Sequence, residues 1–444
     1  MSIIQPRTLK GFRDYLPVTM TAREQVIDTA RQVYRSFGYT AIDTPVLEYS
    51  EILFGKGSDE TDRQLYRFED NGGRDVAMRF DLTVPLARFA AQHVGKLGTP
   101  FKRYHVGPVW RGENTQRGRY REFVQFDFDT IGTESVVADI ETLVVVHDLF
   151  SALAISDFKI HFNNRALLNC LLGRIGLDGV AGVVLRSLDK LAKVGADRVR
   201  DDLLEFAKAT ESQADEILAL CQLQGTNDDV VAQLPAIVGE SDAAAAALDT
   251  IKAVLDGVRA AGVPEHRIRL DVSIARGLDY YTGTVFETFL DALPDIGSVA
   301  SGGRYDDLAS LYTKQRLPGI GGSLGVDRLI AAMEELEMID ERAASADVFV
   351  PLFSKDRTTD YLALAEELRR SGLSVELYPE TRKLGAQMKY ADRRGHRLAV
   401  IVGDTEWEAG MASVKDLDTG VAKEVTRGEL ASYCAAVLAG ESPA

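Results

Sequence analysis

A row of charged, amide and aromatic side chains follows one face of a predicted strand in the first third of the chain. The segment KRYHVGPVWRGENTQRGRYREFVQFDFDTIG, residues 102–132, predicts two strands joined by the polar loop GENTQRG. Alternation along the second strand separates an apolar face from a polar one. The apolar set is Val124, Phe126 and Phe128, and the opposite set is Arg119, Arg121, Phe123, Gln125, Asp127 and Asp129.

This mixture of residue types suits a ligand that carries both phosphate and ammonium groups. Arginine forks grip phosphates, an aromatic ring can stack on a base, and carboxylates hold an ammonium group. Arg111, at the end of the first strand, adds another cation to the same face. The alternative interpretation is a charged outer sheet face with cross-strand ion pairs. The residue pattern by itself leaves both interpretations open.

A second concentration of basic residues lies in RKLGAQMKYADRRGHR, residues 382–397. The spacing predicts a helix with a cationic face that ends in a turn at Gly395. Its cations are Arg382, Lys383, Lys389, Arg393, Arg394 and Arg397, against the single carboxylate of Asp392. The chain carries a net charge of −16, so nucleic acid could bind only where positive charge is locally concentrated. An ordinary solvated basic face is the alternative.

Several other functional classes are disfavoured by motifs that the sequence lacks. It contains no GxxxxGK[ST] motif, and GIGGSLG does not have dinucleotide-binding spacing. The histidines form no HExxH motif, and Cys170, Cys221 and Cys434 form no CxxC pair. We therefore predict no metal site built from protein ligands alone. There is no apolar run of about 18 residues, and the N-terminus lacks a signal-like apolar stretch, so no membrane partner is expected.

The elements that position these residues fall into regions of different character. A chain of 444 residues predicts two or three domains. Strand-like and Gly-rich segments flank an Ala- and Leu-rich helical stretch, and strands alternate with helices from about residue 346, which predicts an α/β domain with a largely parallel sheet. The predicted boundaries are 1–164 and 264–330 for two parts of one α+β domain, 165–263 for a helical insertion, 331–345 for a linker and 346–444 for a C-terminal domain.

Five segments resemble motifs of the histidine–tRNA ligases, a family of class II aminoacyl-tRNA synthetases. RGENTQRGRYREFVQFDFD is similar to the second class II motif, FGYTAIDTPVLE (37–48) to the first and GIGGSLGVDRL (319–329) to the third. ARGLDYYTGTVFE (275–287) resembles the signature of the histidine enzymes, and SGGRYDDL (301–308) is shared with that family. The resemblance implies an α+β catalytic domain on an antiparallel sheet of the class II synthetase type, with a helical insertion, and a C-terminal α/β anticodon-binding domain.

The resemblance also implies roles for individual residues. Asp81 and Thr83, in RFDLTVP, would lie on one face of a strand. The residues implied to bind histidine are Asp81, Leu82, Thr83, Arg111, Gln125, Asp129, Arg276, Tyr280 and Tyr281. Those implied to bind ATP are Arg111, Arg119, Arg121, Phe123 and Arg328, with Arg111 and Arg276 as catalytic residues at the α-phosphate. Those implied to contact tRNA are Arg382, Lys383, Lys389, Arg393 and Arg394.

The implied activity is ATP-dependent conversion of L-histidine to histidyl-adenylate, followed by transfer to the 3′ end of tRNA(His). ATP would be a substrate accompanied by Mg²⁺, with no tightly bound cofactor, and the protein would be a cytoplasmic homodimer. Two alternatives are a non-catalytic paralogue, the regulatory subunit of ATP phosphoribosyltransferase, and a tRNA-sensing binding module. The intact RGLDYYTG segment, Arg111 and the basic C-terminal region favour the ligase.

Overall fold

The computed structural model describes residues 3–54, 62–274, 280–339 and 345–441, apart from the side chains of residues 192 and 193. The chain divides into two compact units. The first comprises Met1–Asp14 and Arg23–Glu337, and the second comprises Tyr15–Ala22 and Met338–Ala444. None of the described helices is long and apolar enough to cross a membrane.

The first unit contains the strands and helices that carry most of the candidate site. Its strands are β1 (Thr40–Ala41), β2 (Leu47–Tyr49), β3 (Arg67–Glu69), β4 (Asp75–Met78), β5 (Phe101–Trp110), β6 (Glu122–Ile131), β7 (Phe158–Asn164), β8 (Ile268–Leu270), β9 (Thr284–Leu290), β10 (Ala300–Tyr305) and β11 (Gly319–Gly325). Its longer helices outside the insertion are α1 (Pro17–Ser36, whose first turns belong to the second unit), α3 (Thr83–Leu97), α4 (Val136–Ala152) and α12 (Val326–Glu335), with a single turn α2 (Ser50–Leu53).

An eight-stranded sheet organises the described part of this unit, in the order β1-β5-β6-β11-β10-β9-β7-β8. β1 pairs with β5 and β7 with β8 in parallel, whereas every other pairing in this sheet is antiparallel. A second sheet has the order β2-β4-β3. β5 and β6, the second and third strands in this order, can pair antiparallel because a loop rather than a crossover helix connects them.

Packing against α1 explains which face of β6 is apolar. Tyr34, fully buried on α1, lies with its ring centroid 4.9 Å from those of both Phe126 and Phe128. Val26 and Ala30 precede Tyr34 by eight and four residues and are buried on the same helix face. Because side chains alternate along a strand, this packing turns Gln125, Asp127 and Asp129 to the other face of the sheet.

Helices fill the chain between β7 and β8. They are α5 (Arg165–Arg174), α6 (Ala181–Leu188), α7 (Leu191–Val194), α8 (Ala196–Phe206), α9 (Glu211–Cys221), α10 (Asn227–Val238) and α11 (Asp242–Ala260). Capping boxes at Thr210 and Thr226 fix the starts of α9 and α10. The buried Asn227 donates to the Ile268 carbonyl at 3.0 Å and accepts from the Leu270 amide at 2.7 Å, which ties α10 to β8. The predicted domain boundaries around this helical stretch stay predictions.

The second unit contains a five-stranded sheet in the order β13-β12-β14-β15-β16. Its elements are β12 (Val348–Val350), α13 (Thr358–Arg370), β13 (Val375–Leu377), α14 (Leu384–Arg394), β14 (Leu398–Ile401), α15 (Asp404–Ala409), β15 (Met411–Asp416), β16 (Ala422–Thr426) and α16 (Leu430–Leu438). The prediction of a largely parallel sheet is wrong for its second half. β15 pairs antiparallel with both β14 and β16. The short turn between β15 and β16 permits only an antiparallel hairpin.

Candidate active site

The centre of the candidate site is the polar face of β6 and its two neighbouring strands. Asp127 is paired in register with His105 of β5 and Ser323 of β11. Asp129 is paired with Arg103 and with a glycine of β11 in the same way. Paired residues share a face of the sheet, so these side chains converge above the strands.

Asp129 is held on three sides. Arg103 Nη2 lies 2.6 Å from Asp129 Oδ2 in an ion pair that is buried on both sides, and the hydroxyl of Tyr305 donates to Asp129 Oδ1. A Cβ atom on Gly321 would lie 2.2 Å from Asp129 Oδ1, so glycine is required there to leave room for the carboxylate. Burial raises the pKa of Asp129, whereas Arg103 and Tyr305 lower it.

Asp81 approaches this face from the start of a helix. The prediction that Asp81 and Thr83 lie on one face of a strand is wrong: β4 ends at Met78, and Thr83 is the first residue of α3. Asp81 Oδ1 accepts from the Val84 amide at 3.0 Å, which stabilises the first turn of that helix. Burial raises the pKa of Asp81 to about 6, although Arg111 and Arg103 oppose this shift.

We call Asp81, Gln125, Asp127 and Asp129 the carboxylate pocket. Gln125 Nε2 donates to Ser323 Oγ at 2.8 Å. The atoms Asp81 Oδ2, Gln125 Oε1 and Asp127 Oδ1 are buried and have no hydrogen-bond partner among the described residues, whereas Asp129 Oδ2 has the ion pair with Arg103. Buried acceptors without donors are costly, and a ligand that carries several N–H donors would satisfy them.

Two aromatic side chains extend the site beside Asp129. The rings of Tyr280 and Tyr281 lie 4.7 Å apart, and Tyr280 contacts Tyr305 edge to face at 6.2 Å. Tyr281 is buried against Gly303, where a Cβ atom would lie 2.9 Å from the Tyr281 ring. A small aromatic ligand group could therefore be recognised next to the carboxylate that Tyr305 holds.

Guanidinium groups gather at the opposite end of the site. Arg111 Nε donates to the Phe80 carbonyl at 2.9 Å, and its guanidinium lies 5.2 Å from the centre of the Phe123 ring. Arg328 Nη1 donates to the Ser298 carbonyl at 2.5 Å. Burial, together with the charges of Arg119 and Arg111, lowers the pKa of Arg328 to about 10. We call Arg111, Arg119 and Arg328 the arginine cluster; like charges brought this close favour the binding of a polyanion.

The loop between β5 and β6 places two of the predicted phosphate ligands differently from the prediction. Arg119 and Arg121 precede β6 and do not lie on its face, because the chain turns at Gly118 (φ +67°) before the strand begins. Arg119 lies 3.7 Å from Glu113, and Arg121 Nε donates to the Glu113 carbonyl at 3.3 Å.

Comparison with known proteins assigns the chain to a family. The family profile described as Histidyl-tRNA synthetase matches residues 11–329, and that described as Anticodon binding domain matches residues 347–436. The chain belongs to the histidyl-tRNA synthetase family. Curated relatives named Histidine--tRNA ligase include one from Rhodopirellula baltica, 59% identical over 95% of this chain and 96% of the relative, and one from Wolinella succinogenes, 43% identical over 94% and 95%.

Solved structures agree with this assignment. A histidyl-tRNA synthetase from Nostoc sp. PCC 7120 has a TM-score of 0.87 and 34% identity, covering 97% of this chain and 99% of that one. A structure titled ATP phosphoribosyltransferase regulatory subunit/histidyl-tRNA synthetase, from Bacillus halodurans, has a TM-score of 0.75 at 23% identity, covers 88% of this chain and 97% of that one, and so shares the fold alone. The predicted family and fold class are confirmed, and the regulatory-subunit alternative is not favoured.

The structure can be compared with the site residues that were predicted for this family member. The structure brings Asp81, Arg111, Gln125, Asp129 and Arg328 to one sheet face, but their ligand roles stay predictions. Arg276 lies outside the described residues. The sequence interpretation missed Arg103 and Tyr305 as partners of Asp129. Arg103 could have been found, because it alternates with His105 on a strand paired with the acidic one.

In the second unit, the predicted basic helix of this family member is α14. Lys383, Lys389 and Arg393 are exposed, whereas Arg382 lies 2.6 Å from Glu380. Arg397 lies beyond the helix and forms ion pairs with Asp416 (2.7 Å) and Asp418, which removes it from the cationic face. The helix is fixed by the fully buried Gln387, whose amide accepts from the Leu352 N–H and donates to the Leu352 carbonyl, both at 2.8 Å.

Proposed function

We propose that this chain activates L-histidine with ATP, forms histidyl-adenylate and transfers the histidyl group to the 3′ end of tRNA(His). Three curated relatives that match at least 94% of this chain are named Histidine--tRNA ligase, which confirms the prediction of that activity at the level of the reaction. Two oppositely charged groups of side chains on one sheet face support it. The tRNA-sensing alternative would require neither.

The carboxylate pocket suits the amino end of the substrate. The histidine ammonium group carries three N–H donors, and the pocket offers buried acceptor oxygens that lack donors among the described residues. We propose that Asp81, Thr83, Gln125 and Asp129 bind this group, that the Leu82 backbone lines it, and that Tyr280 and Tyr281 recognise the imidazole ring. Arg103 donates to the Leu82 carbonyl at 3.2 Å, which joins this backbone to Asp129.

The arginine cluster suits the other substrate. We propose that Arg111 binds the α-phosphate and the histidine carboxylate, that Arg119, Arg121 and Arg328 bind the outer phosphates, and that Phe123 stacks on adenine. In-line attack by the carboxylate needs no protein nucleophile, so the residues act by positioning and by stabilising charge at phosphorus. Arg276 would share the α-phosphate with Arg111, as the family signature implies.

Magnesium fits this end of the site as a companion of ATP. Glu113 is the carboxylate that lies beside both Arg119 and Arg328, and hard carboxylate oxygens suit Mg²⁺. When bound, the ion would neutralise charge on the departing pyrophosphate. We propose that Glu113 helps to hold it, directly or through water.

The observation that carries the proposal is the group of unpartnered buried acceptors next to the arginine cluster. It is tested by ATP–pyrophosphate exchange that depends on histidine. We expect exchange with histidine and none with other amino acids, and Asp81→Asn should raise the Michaelis constant (KM) for histidine. Asp249→Asn, a change at an exposed position of α11, is the matched control and should leave KM unchanged. Exchange that does not depend on histidine would refute the proposal.

We further propose that the protein acts as a homodimer in the cytoplasm. Exposed apolar residues cluster in the first-motif region and the small sheet beside it: Val46, Leu47, Tyr49 and Phe68. Such a patch is typical of a subunit interface. A monomeric mass in solution at micromolar concentration, with full activity, would contradict the dimer.

A further inference from the structure

The carboxylate pocket contains one carboxyl group for which neither the family motifs nor the mechanism above gives a role. Asp127 is 1% exposed and lies between Gln125 and Asp129 on the same strand face. Oδ1 of its carboxyl group has no hydrogen-bond partner within the described chain. Asp129, by contrast, has Arg103 and Tyr305, and Asp81 has the Val84 amide. Asp127 has the Ser323 hydroxyl as a side-chain partner, but among the described residues it has neither an ion pair as short as that of Asp129 nor a backbone amide donor like that of Asp81.

Charges around Asp127 do not balance these three carboxyl groups. The titratable or charged groups on its face of the sheet are Arg103 and His105 from β5, Asp129 from β6, Asp81 before α3 and Arg79 after β4. Tyr34 of α1 interacts with it electrostatically from the opposite face. Arg103 is fully buried, and its shortest contact is with Asp129. The guanidinium of Arg79 already has two hydrogen-bond partners, because it donates to the Pro108 and Thr44 carbonyls at 3.0 and 2.7 Å.

The neighbouring histidine adds no positive charge. Burial, together with Arg103 and Arg79, lowers the pKa of His105 to about 3, so its ring is neutral at physiological pH. Asp127 and Asp129 share the guanidinium of Arg103, and Arg111 acts with Arg103 on Asp81, so the three buried carboxylates cannot all ionise at low cost. One of them is therefore partly protonated near neutral pH until another cation enters the pocket.

We propose that Asp127 is a third carboxyl group of the amino-acid pocket, which holds a proton in the free enzyme and releases it when the substrate ammonium group binds. On binding, the O–H bond of the Asp127 carboxyl group breaks, the carboxylate keeps the electron pair and the proton passes to the buffer. The carboxylate then shares the ammonium charge with Asp81 and Asp129. This inference rests on the proposed function, because it assumes that histidine is the substrate.

The protonation state agrees with the electrostatics of the site. Burial raises the pKa of Asp127 to about 7; Arg103 opposes the shift and Asp129 adds to it. The free carboxyl group is then about half protonated at pH 7, and it ionises fully once a cation binds beside it. Arg103 is a positioning residue in this arrangement, because it keeps Asp129 ionised while Asp127 carries the proton.

The test is titration calorimetry of histidine into the full-length protein, in phosphate and in Tris, which have different ionisation enthalpies. The dependence of the measured heat on the buffer gives the number of protons released. We expect about half a proton per histidine at pH 7.0, falling toward zero at pH 8.5. Asp127→Asn should abolish most of this release and weaken histidine binding roughly tenfold or more. Asp249→Asn, with the same chemical change on α11, should match the wild type.

Each other outcome overturns a specific statement. Histidine binding without proton release by the wild type refutes the inference, and this measurement needs no variant to fold. Equal proton release by wild type and Asp127→Asn also refutes it, since the imidazole of histidine contributes equally to both. Failure of histidine to bind or to support pyrophosphate exchange refutes the proposed function instead.

Discussion

The carboxylate pocket and the arginine cluster lie on the same sheet, yet each gathers charges of one sign. Burial raises the pKa of Asp81 to about 6 at one end and lowers the pKa of Arg328 to about 10 at the other. Both shifts oppose the charged form, and both are relieved by a ligand of opposite charge. Without ligands, the site is therefore electrostatically unfavourable in two separate places, the carboxylate pocket and the arginine cluster. One ligand with an ammonium group and another with a triphosphate would relieve both.

Substitution of an arginine proposed to act at the α-phosphate should affect turnover more than substrate binding. Among such substitutions, Arg276→Ala should have the largest effect. Charge at the α-phosphate grows as the histidine carboxylate attacks, so an arginine there contributes mainly in the transition state. We expect the exchange turnover number to fall by roughly 100- to 1000-fold. The KM for histidine should change far less. An increase in KM alone, with turnover intact, would show that Arg276 binds the ground state.

A change in the charge around the carboxylate pocket should affect histidine binding more than turnover. The variant Arg103→Leu tests this expectation. Loss of the guanidinium leaves Asp129 and Asp127 with less positive charge nearby, so both hold protons more tightly. We expect the KM for histidine at pH 7 to rise by roughly 10- to 100-fold, with turnover changing less. Arg103→Lys is the matched control, because it retains a charge and should cause a smaller increase. Equal effects of the two variants would point to packing rather than charge.

The two ends should also differ in their response to pH. An ammonium group binds the ionised carboxyl groups, whose pKa values are raised to about 6 for Asp81 and about 7 for Asp127. The KM for histidine should therefore fall by roughly tenfold as pH rises from 6 to 8. Arg328 remains charged throughout this range, so the KM for MgATP should change little. A KM for histidine that is constant or rises with pH would contradict the raised pKa values.

The smallest expected effect concerns α14, whose exposed cations contrast with the half-buried Arg111 and Arg328 of the arginine cluster. In Lys389→Glu/Arg393→Glu, pyrophosphate exchange should stay unchanged while tRNA charging weakens roughly tenfold at low salt. The salt dependence of charging should also become shallower, because phosphate contacts release counterions. Arg370→Glu, at an exposed position of α13, is the control. Equal loss of exchange and charging would remove the basis for assigning α14 to tRNA.

Local pattern in the sequence determined a defined part of this protein. Strict alternation placed Gln125, Asp127 and Asp129 opposite Phe126 and Phe128, because the pleat of a strand repeats every two residues. The spacing of cations predicted the helix that the structure gives as Leu384–Arg394. Both inferences need only the period of one element, and both are confirmed.

Tertiary structure decided which groups meet and how they are charged. Tyr305 reaches Asp129 across 176 positions of sequence, and Arg103 reaches it through the register of β5 on β6. Asp81 lies before a helix because its carboxyl group bonds the Val84 amide, although the local sequence suggested a strand. The pKa of Asp127 depends on burial and on charges from other elements, which no local pattern contains. Strand register and burial are properties of the assembled sheet, and the chemistry of this site depends on both.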